Sequence, residues 1–485
     1  MSVSGSLFNA YSGLVASARM AEAVSHNVAN ALTPGYGRRE VELTAAGLNG
    51  RGAGVRIADI RRDVNAAAIA DRRLAEADLD GAGSRSEALG RLEQAIGIPG
   101  EAGSLSDLVT RFETALSAAE SRPDSDVRLQ NVLFAARDLT NAVNRISDTT
   151  QTLRMEADHD IDVAVGMLNA TLGQVAELNR DIRVQTRAGQ DVNGLLDQRQ
   201  VLVDQISGLV PIRVLPRDHG EIAIMTTGGA SLLDGVTGEL GFTGAGLITT
   251  DMSLASGALS GLTLRGKEVA IGSGTGPFAG GRLAALFDIR DRIAPATSAG
   301  IDAFARDLAE RLETPGLDPT LPPGSAGLFT DASNPTDPAL EAGLAGRLAV
   351  NIAADPDAGG ALWRLRDGLG AALPGEVGDN RLLSGFAAAL AALRVPASGA
   401  FGASARSLSG LAGDLAGRTG ADRLQSEDRE SYAAARFQQL QGLEADSGVD
   451  TDQEMQKLLL IENAYAANAR VVSTVDEMLK TILGL

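Results

Sequence analysis

Cysteine is absent from the 485 residues. This excludes disulfides, thiolate metal ligands and thiol nucleophiles, and suits a chain that leaves the cell without oxidative folding. Lysine is scarce, with only Lys267, Lys457 and Lys480, and the formal net charge is −19. A phosphate backbone would meet a repulsive surface at most orientations, which disfavours nucleic acid as a partner. Aromatic residues make up 3% of the chain while apolar residues reach 44%, a balance that favours closely packed helices over a deep aromatic pocket. No run of about 18 apolar residues occurs, so no spanning helix and no membrane insertion are expected. Residues 1–31 carry Arg19 and Glu22 inside a helical pattern, which is not the layout of a cleavable secretory signal.

The marks of chemistry are equally sparse. His26, His159 and His219 are the only histidines and form no pair at metal-ligand spacing. There is no Gly-x-Ser-x-Gly elbow, and the many Asp and Glu residues sit at helix-surface spacing, the pattern of a solvated face. Gly261-Leu-Thr-Leu-Arg-Gly266-Lys267-Glu268 has the spacing of a phosphate loop. However, Glu268 stands where a hydroxyl must hold magnesium, and strand-like Val269-Ala270-Ile271 follows where a helix is needed, so the segment reads as a hairpin turn. Trp363, close to Leu362 and Leu365, reads as core. No enzyme activity, cofactor or metal is expected.

What is present is helical periodicity, concentrated at the two ends. Leu7, Leu14, Ala21 and Val28 recur every seven residues, with Ala10, Ser17, Val24 and Ala31 three residues after each. This is the two-position seam of a coiled coil. The helix should stop at Thr33-Pro34-Gly35-Tyr36, since Pro34 disfavours helix for Thr33 and Gly35 can supply a positive φ. Near the other end Thr451 and Glu454 have capping-box spacing. A second seam follows, with Leu458, Tyr465, Val472 and Leu479 in one position and Ile461, Asn468, Val475 and Ile482 in the other. The first seam is small and the second large, so the two complement each other. A polar Asn468 within a seam can set register.

Between them, residues 38–60 read as extended segments, and 63–98 and 104–120 as helices. A long apolar series at steps of three and four from Leu129 to Ile182 predicts one helix on the order of 80 to 90 Å long. Gly189 is placed to end it, and Asn193 to cap a partner helix running to Pro211. Residues 220–281 hold sixteen glycines, which favours short strands and tight turns. Helical periodicity returns from Leu283, passes a kink at Pro295 and reaches Leu312. A proline-rich loop spans 314–338, and helices are expected over 361–393 and 404–443. The fold class is therefore mainly α with an inserted β-rich domain, the terminal helices paired as a coiled coil around a nested long-helix bundle. The expected divisions are 1–60 with 445–485, 61–211 with 281–444, and 212–280.

The run from Leu7 to Tyr36, with Ser12-Gly13-Leu14, Asn27-Val28-Ala29-Asn30 and Thr33-Pro34-Gly35-Tyr36, resembles the N-terminus shared by bacterial flagellar rod, hook and hook-associated proteins. Ala466 to Val471, then Ser473-Thr474 and Glu477-Met478-Leu479, looks like their C-terminus. Leu178 to Ile182 and Asn193-Gly194-Leu195-Leu196-Asp197-Gln198-Arg199 are similar to one branch, the hook-associated protein 1 (FlgK) family. So are Arg122-Pro123, Gly280-Gly281-Arg282-Leu283 and Asp288-Ile289-Arg290-Asp291.

The resemblance implies a structural, extracellular role at the hook–filament junction, with terminal helices forming an inner tube and a β-rich domain lying outside. It implies as partners copies of the chain itself, the hook protein, hook-associated protein 3 (FlgL) and, during type III export, the chaperone FlgN. Asn27, Asn30, Thr33, Pro34, Gly35 and Tyr36 would form a turn motif that sets the angle between the first helix and the body. Another axial protein, distal rod or hook, is the alternative. A displayed enzyme or adhesin in the β insertion is the more distant one.

Overall fold

The computed structural model describes residues 3–48, 51–272 and 274–484, excepting the side chains of 48, 51–53, 482 and 483. Helices dominate, and the sheets are small. Helix α1 (Val3–Asn30) leads into a hairpin of β1 (Arg38–Leu48) and β2 (Arg51–Asp63). Then come α2 (Ala66–Ile96), α3 (Leu105–Ser121), α4 (Asp126–Arg187) and α5 (Asn193–Leu209). Among the described residues no helix is long and apolar enough to cross a membrane.

The spine is α4, 62 residues in one helix and so about 93 Å long at 1.5 Å per residue. Its apolar residues recur on one stripe, and Leu129, Val132, Leu139, Val143, Ile146, Ile161, Leu168, Val175 and Ile182 are all buried. Gly166 and Gly173 lie on its open side and do not break it. The helix ends where Gly189 adopts φ +68°, a left-handed conformation that a side chain would strain.

Among the described residues two large apolar cores form along this spine, and a smaller cluster joins Leu153 and Ala157 of its middle to Leu89, Leu92 and Ile289. The first gathers the N-terminal half of α4 with α3, α7 (Ala294–Leu312), α10 (Arg381–Ala391) and the start of α11 (Leu408–Asp446). Within it Phe112 and Phe329 meet edge to face with centroids 5.6 Å apart. The second gathers the C-terminal half of α4 with α5, α6 (Gly281–Asp288) and the glycine-rich segment. That segment builds a four-stranded antiparallel sheet from β3 (Ile212–Pro216), β4 (Ile222–Thr226), β5 (Ser231–Asp234) and β6 (Val236–Thr237). A three-stranded sheet follows, of β7 (Leu240–Gly241), β8 (Thr263–Leu264) and β9 (Lys267–Glu268). Leu232, Leu240, Leu262 and Phe278 pack into the same cluster as Ile161, Leu168 and Phe287, so these sheets share the core of the helices.

The phosphate-loop spacing at 261–268 is the β8–β9 hairpin, turned by Arg265 at φ +53°. The kink expected at Pro295 is a π-helical turn, Ile289–Ile293, in which the Ala294 N–H reaches back to the Ile289 carbonyl. The wider turn makes room beside a residue that has no N–H of its own. Beyond α7 lie β10 (Phe329–Asp331) and β11 (Leu348–Val350), which pair with each other, and the single-turn α8 (Leu344–Arg347) and α9 (Arg364–Asp367).

The helix expected over 361–393 is not continuous. Only α9 and α10 form, because Gly368, Gly370, Pro374, Gly375 and Gly378 interrupt the backbone between them. Trp363 is half-buried, with the Arg364 guanidinium over its ring at 5.5 Å. Helix α11 runs beside α2, and α12 (Thr451–Leu483) returns to α1.

Candidate assembly site at the joined chain ends

Helix α1 packs on α12 and on the β1–β2 hairpin and buries a stripe of small side chains between them. Ala10, Ala16, Ser17, Ala23, Val24 and Asn27 are buried, at the steps of a 3.6-residue period. Of the expected first seam, Ala10, Ser17 and Val24 lie at its centre, Leu7, Leu14 and Ala21 are half-buried on its flank, and Val28 is exposed. Val28 lies about five full turns from buried Ala10 and so on the same face, but it stands in the last turn of the helix and is exposed there. On α12, Val475 is buried and Leu458, Ile461, Asn468, Val472 and Leu479 are half-buried, while Tyr465 is exposed. The expectation for Ile482 falls on a side chain outside the described ones. Asn468 sits over Gly13, where an added Cβ would lie 2.6 Å from its Nδ2. The glycine is thus the hole for a polar knob.

The capping box at Thr451 and Glu454 does not form. Asp450 caps α12 instead, accepting from the N–H groups of Asp452 and Gln453 at 2.9 and 3.1 Å. A carboxylate suits the positive end of the helix better than a hydroxyl. This frees Glu454, which is 1% exposed, for tertiary work. Its Oε2 accepts from Asn27 Nδ2 at 3.0 Å, and Arg38 and Lys457 lie at 3.4 Å from Oε1.

Asn27, also 1% exposed, is the hub of the site. Its Nδ2 donates to Glu454 and to the Arg39 carbonyl at 2.9 Å. Its Oδ1 accepts from the Arg39 N–H at 2.7 Å and the Tyr36 hydroxyl at 2.9 Å. One amide thereby joins α1, the turn, β1 and α12. Burial pushes the Tyr36 hydroxyl pKa up; Arg39 opposes the shift, and Asp197 and Glu454 add to it. Asn30 donates to the His26 carbonyl and accepts from the Thr33 hydroxyl, closing the turn locally, and Pro34 is exposed within it. Gly35 takes φ +76° and packs so closely on α5 that a Cβ would stand 2.6 Å from Val201.

Helix α5 holds this turn. Asp197 accepts from the Gly37 N–H at 3.0 Å, from Arg62 Nε at 2.7 Å and from Arg39. Arg62 also donates to the Gly35 carbonyl at 3.0 Å and to Gln200. Asn193 does not cap α5. Asp191 accepts from its N–H at 2.8 Å, and the Asn193 side chain donates to the Ile60 carbonyl at 2.7 Å. Residues 193–199 carry a helix start and the resemblance, but nothing in their local sequence points to their partners in the turn and hairpin. The Ser12-Gly13 pair divides in the same way, with Gly13 facing Asn468 and the Ser12 hydroxyl accepting from the Val55 N–H at 3.1 Å.

A second apolar face stays open on both helices. Phe8, Tyr11 and Val15 of α1 and Met455, Leu459, Leu460, Val471 and Met478 of α12 are exposed, with Tyr11 at 62% and Leu460 at 70%. A groove of about 330 Å³ runs between α1, β1 and α12, walled by Met20, Val24, Val41, Leu460 and Ile461. His26, His159 and His219 are all exposed, and no cluster able to hold a metal occurs among the described residues.

Two family models match. The flagellar hook-associated protein FlgK helical domain covers residues 89–315, and the flagellar basal body rod FlgEFG protein C-terminal family covers 440–485. Flagellar hook-associated protein 1 of Salmonella typhimurium is 30% identical over 244 residues, 48% of this chain and 43% of that protein. Its counterpart in Escherichia coli is 28% identical over 240 residues, 47% and 43% of the two chains. That of Bacillus subtilis is 24% identical over 217 residues, 42% and 43%. The matches thus span less than half the length of these relatives. A solved structure, the flagellar hook junction protein FlgK from Burkholderia pseudomallei, aligns with 18% identity and a TM-score of 0.43 over 54% of this chain and 46% of that one.

Proposed function

We propose, from the likeness to the FlgK helical domain and to flagellar hook-associated protein 1, that the chain is a member of the FlgK family and a structural component of the flagellum, assembling at the junction of hook and filament through its terminal helices. The observation that carries this reading is the second apolar face. The α1–α12 contact leaves exposed a row of large side chains, each worth about 1.5–3 kcal/mol on full burial, and burying them against other copies completes the bundle. The expected seam residues, Ile482 among them, would then be shared between this contact and that between subunits. Val28 and Tyr465, exposed in the single chain, fit the second.

On this reading 1–60 with 445–485 forms an inner coiled-coil zone, 61–211 with 281–444 the helical body around it, and 212–280 the outer part. The neighbours are copies of the chain, the hook protein and hook-associated protein 3, with the export chaperone FlgN before secretion, and the site of action is extracellular. The helical-domain match across α4 and α5 favours this branch over a distal rod or hook protein.

The test is a strain lacking the gene, complemented with Leu460→Asp. Leu460 makes little contact within the chain, so the monomer should keep its thermal stability within about 0.5 kcal/mol. Cells should complete hooks, secrete flagellin and retain no filament by electron microscopy. Normal filaments would refute the surface, and missing hooks would point to another axial protein.

A further inference from the structure

Between the base of the β1–β2 hairpin, the start of α2, helix α5 and the β3–β4 pair lies a hollow of about 300 Å³ that shares no lining residue with the open face of α1 and α12. Three guanidinium groups line it, from Arg62 on β2, Arg73 on α2 and Arg199 on α5, and all three are largely withdrawn from water. Two have counter-charges: Arg62 Nε stands 2.7 Å from Asp197, and Arg73 Nε 2.6 Å from Asp204. Arg199 differs. Its hydrogen bonds go to Asn179 Oδ1 at 2.9 Å and the Gly220 carbonyl at 2.7 Å, both neutral, and among the described residues no carboxylate pairs with it. Burial, and then Arg62 and Arg73, bring its pKa down to about 10, which still leaves it charged at neutral pH.

A buried cation without a counter-charge is costly, and a guanidinium fork matches a carboxylate in shape. The remaining wall is apolar, with Ile69, Val203, Val214 and Ile222. The first turn of α2 at the rim carries no acidic residue to supply the missing charge. We propose that this hollow binds a carboxylate on a short aliphatic stem, the anion against Arg199 and the stem along the apolar wall. A bare inorganic anion would leave that wall unfilled, and a neutral molecule would leave Arg199 uncompensated. The carboxylate comes either as a free aliphatic acid or as the acidic side chain of a neighbouring chain.

The experiment is thermal denaturation of the full chain with hexanoate, with N-acetylglutamate amide and with uncharged hexanamide. At least one of the two carboxylates should raise Tm saturably by a few degrees, and hexanamide should not. The stronger response to hexanoate assigns a free acid, and the stronger response to the blocked glutamate assigns a side chain. Ala70→Glu, exposed on the rim of the hollow, places a carboxylate there from within. It should raise Tm on its own and abolish the response. Arg199→Gln should abolish the response as well, and if that variant does not fold, Ala70→Glu decides alone. An equal shift with hexanamide, no shift with either carboxylate, or an undiminished response in Ala70→Glu overturns the proposal.

Discussion

Asn27 has four hydrogen-bonding positions on its side-chain amide, and all four are used. Asn27→Asp replaces two donors by an acceptor and sets a carboxylate against buried Glu454. A destabilisation of about 2–4 kcal/mol is expected, because a buried polar group loses its partner while like charges meet. Adding Glu454→Gln removes the repulsion and returns a donor, so the double variant should recover more than half of the loss. Hydrogen exchange over residues 451–461 reads both effects, and equal damage in single and double variants would exclude the pairing.

Tyr36 sets a pH limit through the same hub. Its folded-state pKa lies above the ordinary value of about 10. Ionisation therefore favours the unfolded chain first: the contribution is fully present below about pH 10 and is lost as pH rises through the folded pKa. Tyr36→Phe should flatten the alkaline limb of the stability profile and cost about 1 kcal/mol at neutral pH. An unchanged alkaline limb would remove Tyr36 as its source.

At the scale of elements, the contact between α1 and α12 depends on close approach as much as on apolar area. Gly13 lets the side chain of Asn468 sit directly on the α1 backbone. Gly13→Val would push the helices apart, with an expected cost of about 1–3 kcal/mol for overpacking. Combining it with Asn468→Ala should restore much of the pairing by opening the space the valine needs, as measured by amide protection along α12. Additive losses in the double variant would show that the two residues do not meet. Helix α5 acts at the same scale, since Asp197, Gln200 and Asn193 hold the turn and hairpin through Gly37, Arg39, Arg62 and the Ile60 carbonyl.

For the whole molecule, α4 carries two large cores, and the glycine-rich segment completes the second. Deleting 216–280 removes Leu232, Leu240, Leu262 and Phe278 from the side chains they cover on α4, α5 and α6. The expected outcome is loss of amide protection over 161–182 of α4 while 129–146, in the first core, stays protected. Uniform retention of protection would mean that the segment folds apart from the helices.

Periodicity and breakers were sufficient for the long elements: the α4 stripe, its end at Gly189, the turn at Gly35, the β8–β9 hairpin and both terminal helices. Each depends on contacts within a few residues along the chain, which is the range over which composition and spacing carry information. The region 361–393 misled for the same reason, its apolar spacing suggesting a helix that scattered glycines and a proline prevent. The joint between the ends was not legible. Glu454 has the spacing of a cap, and only the fold, by bringing it beside Asn27 across 427 positions of sequence, turned it into a buried partner. Whether a polar side chain closes its own helix or ties two distant segments is decided by which group it finds once water is excluded, and that is a property of the tertiary structure. The sequence alone determined that the two ends are amphipathic helices of complementary size; their register, through Asn468 on Gly13 and Asn27 on Glu454, was decided by packing.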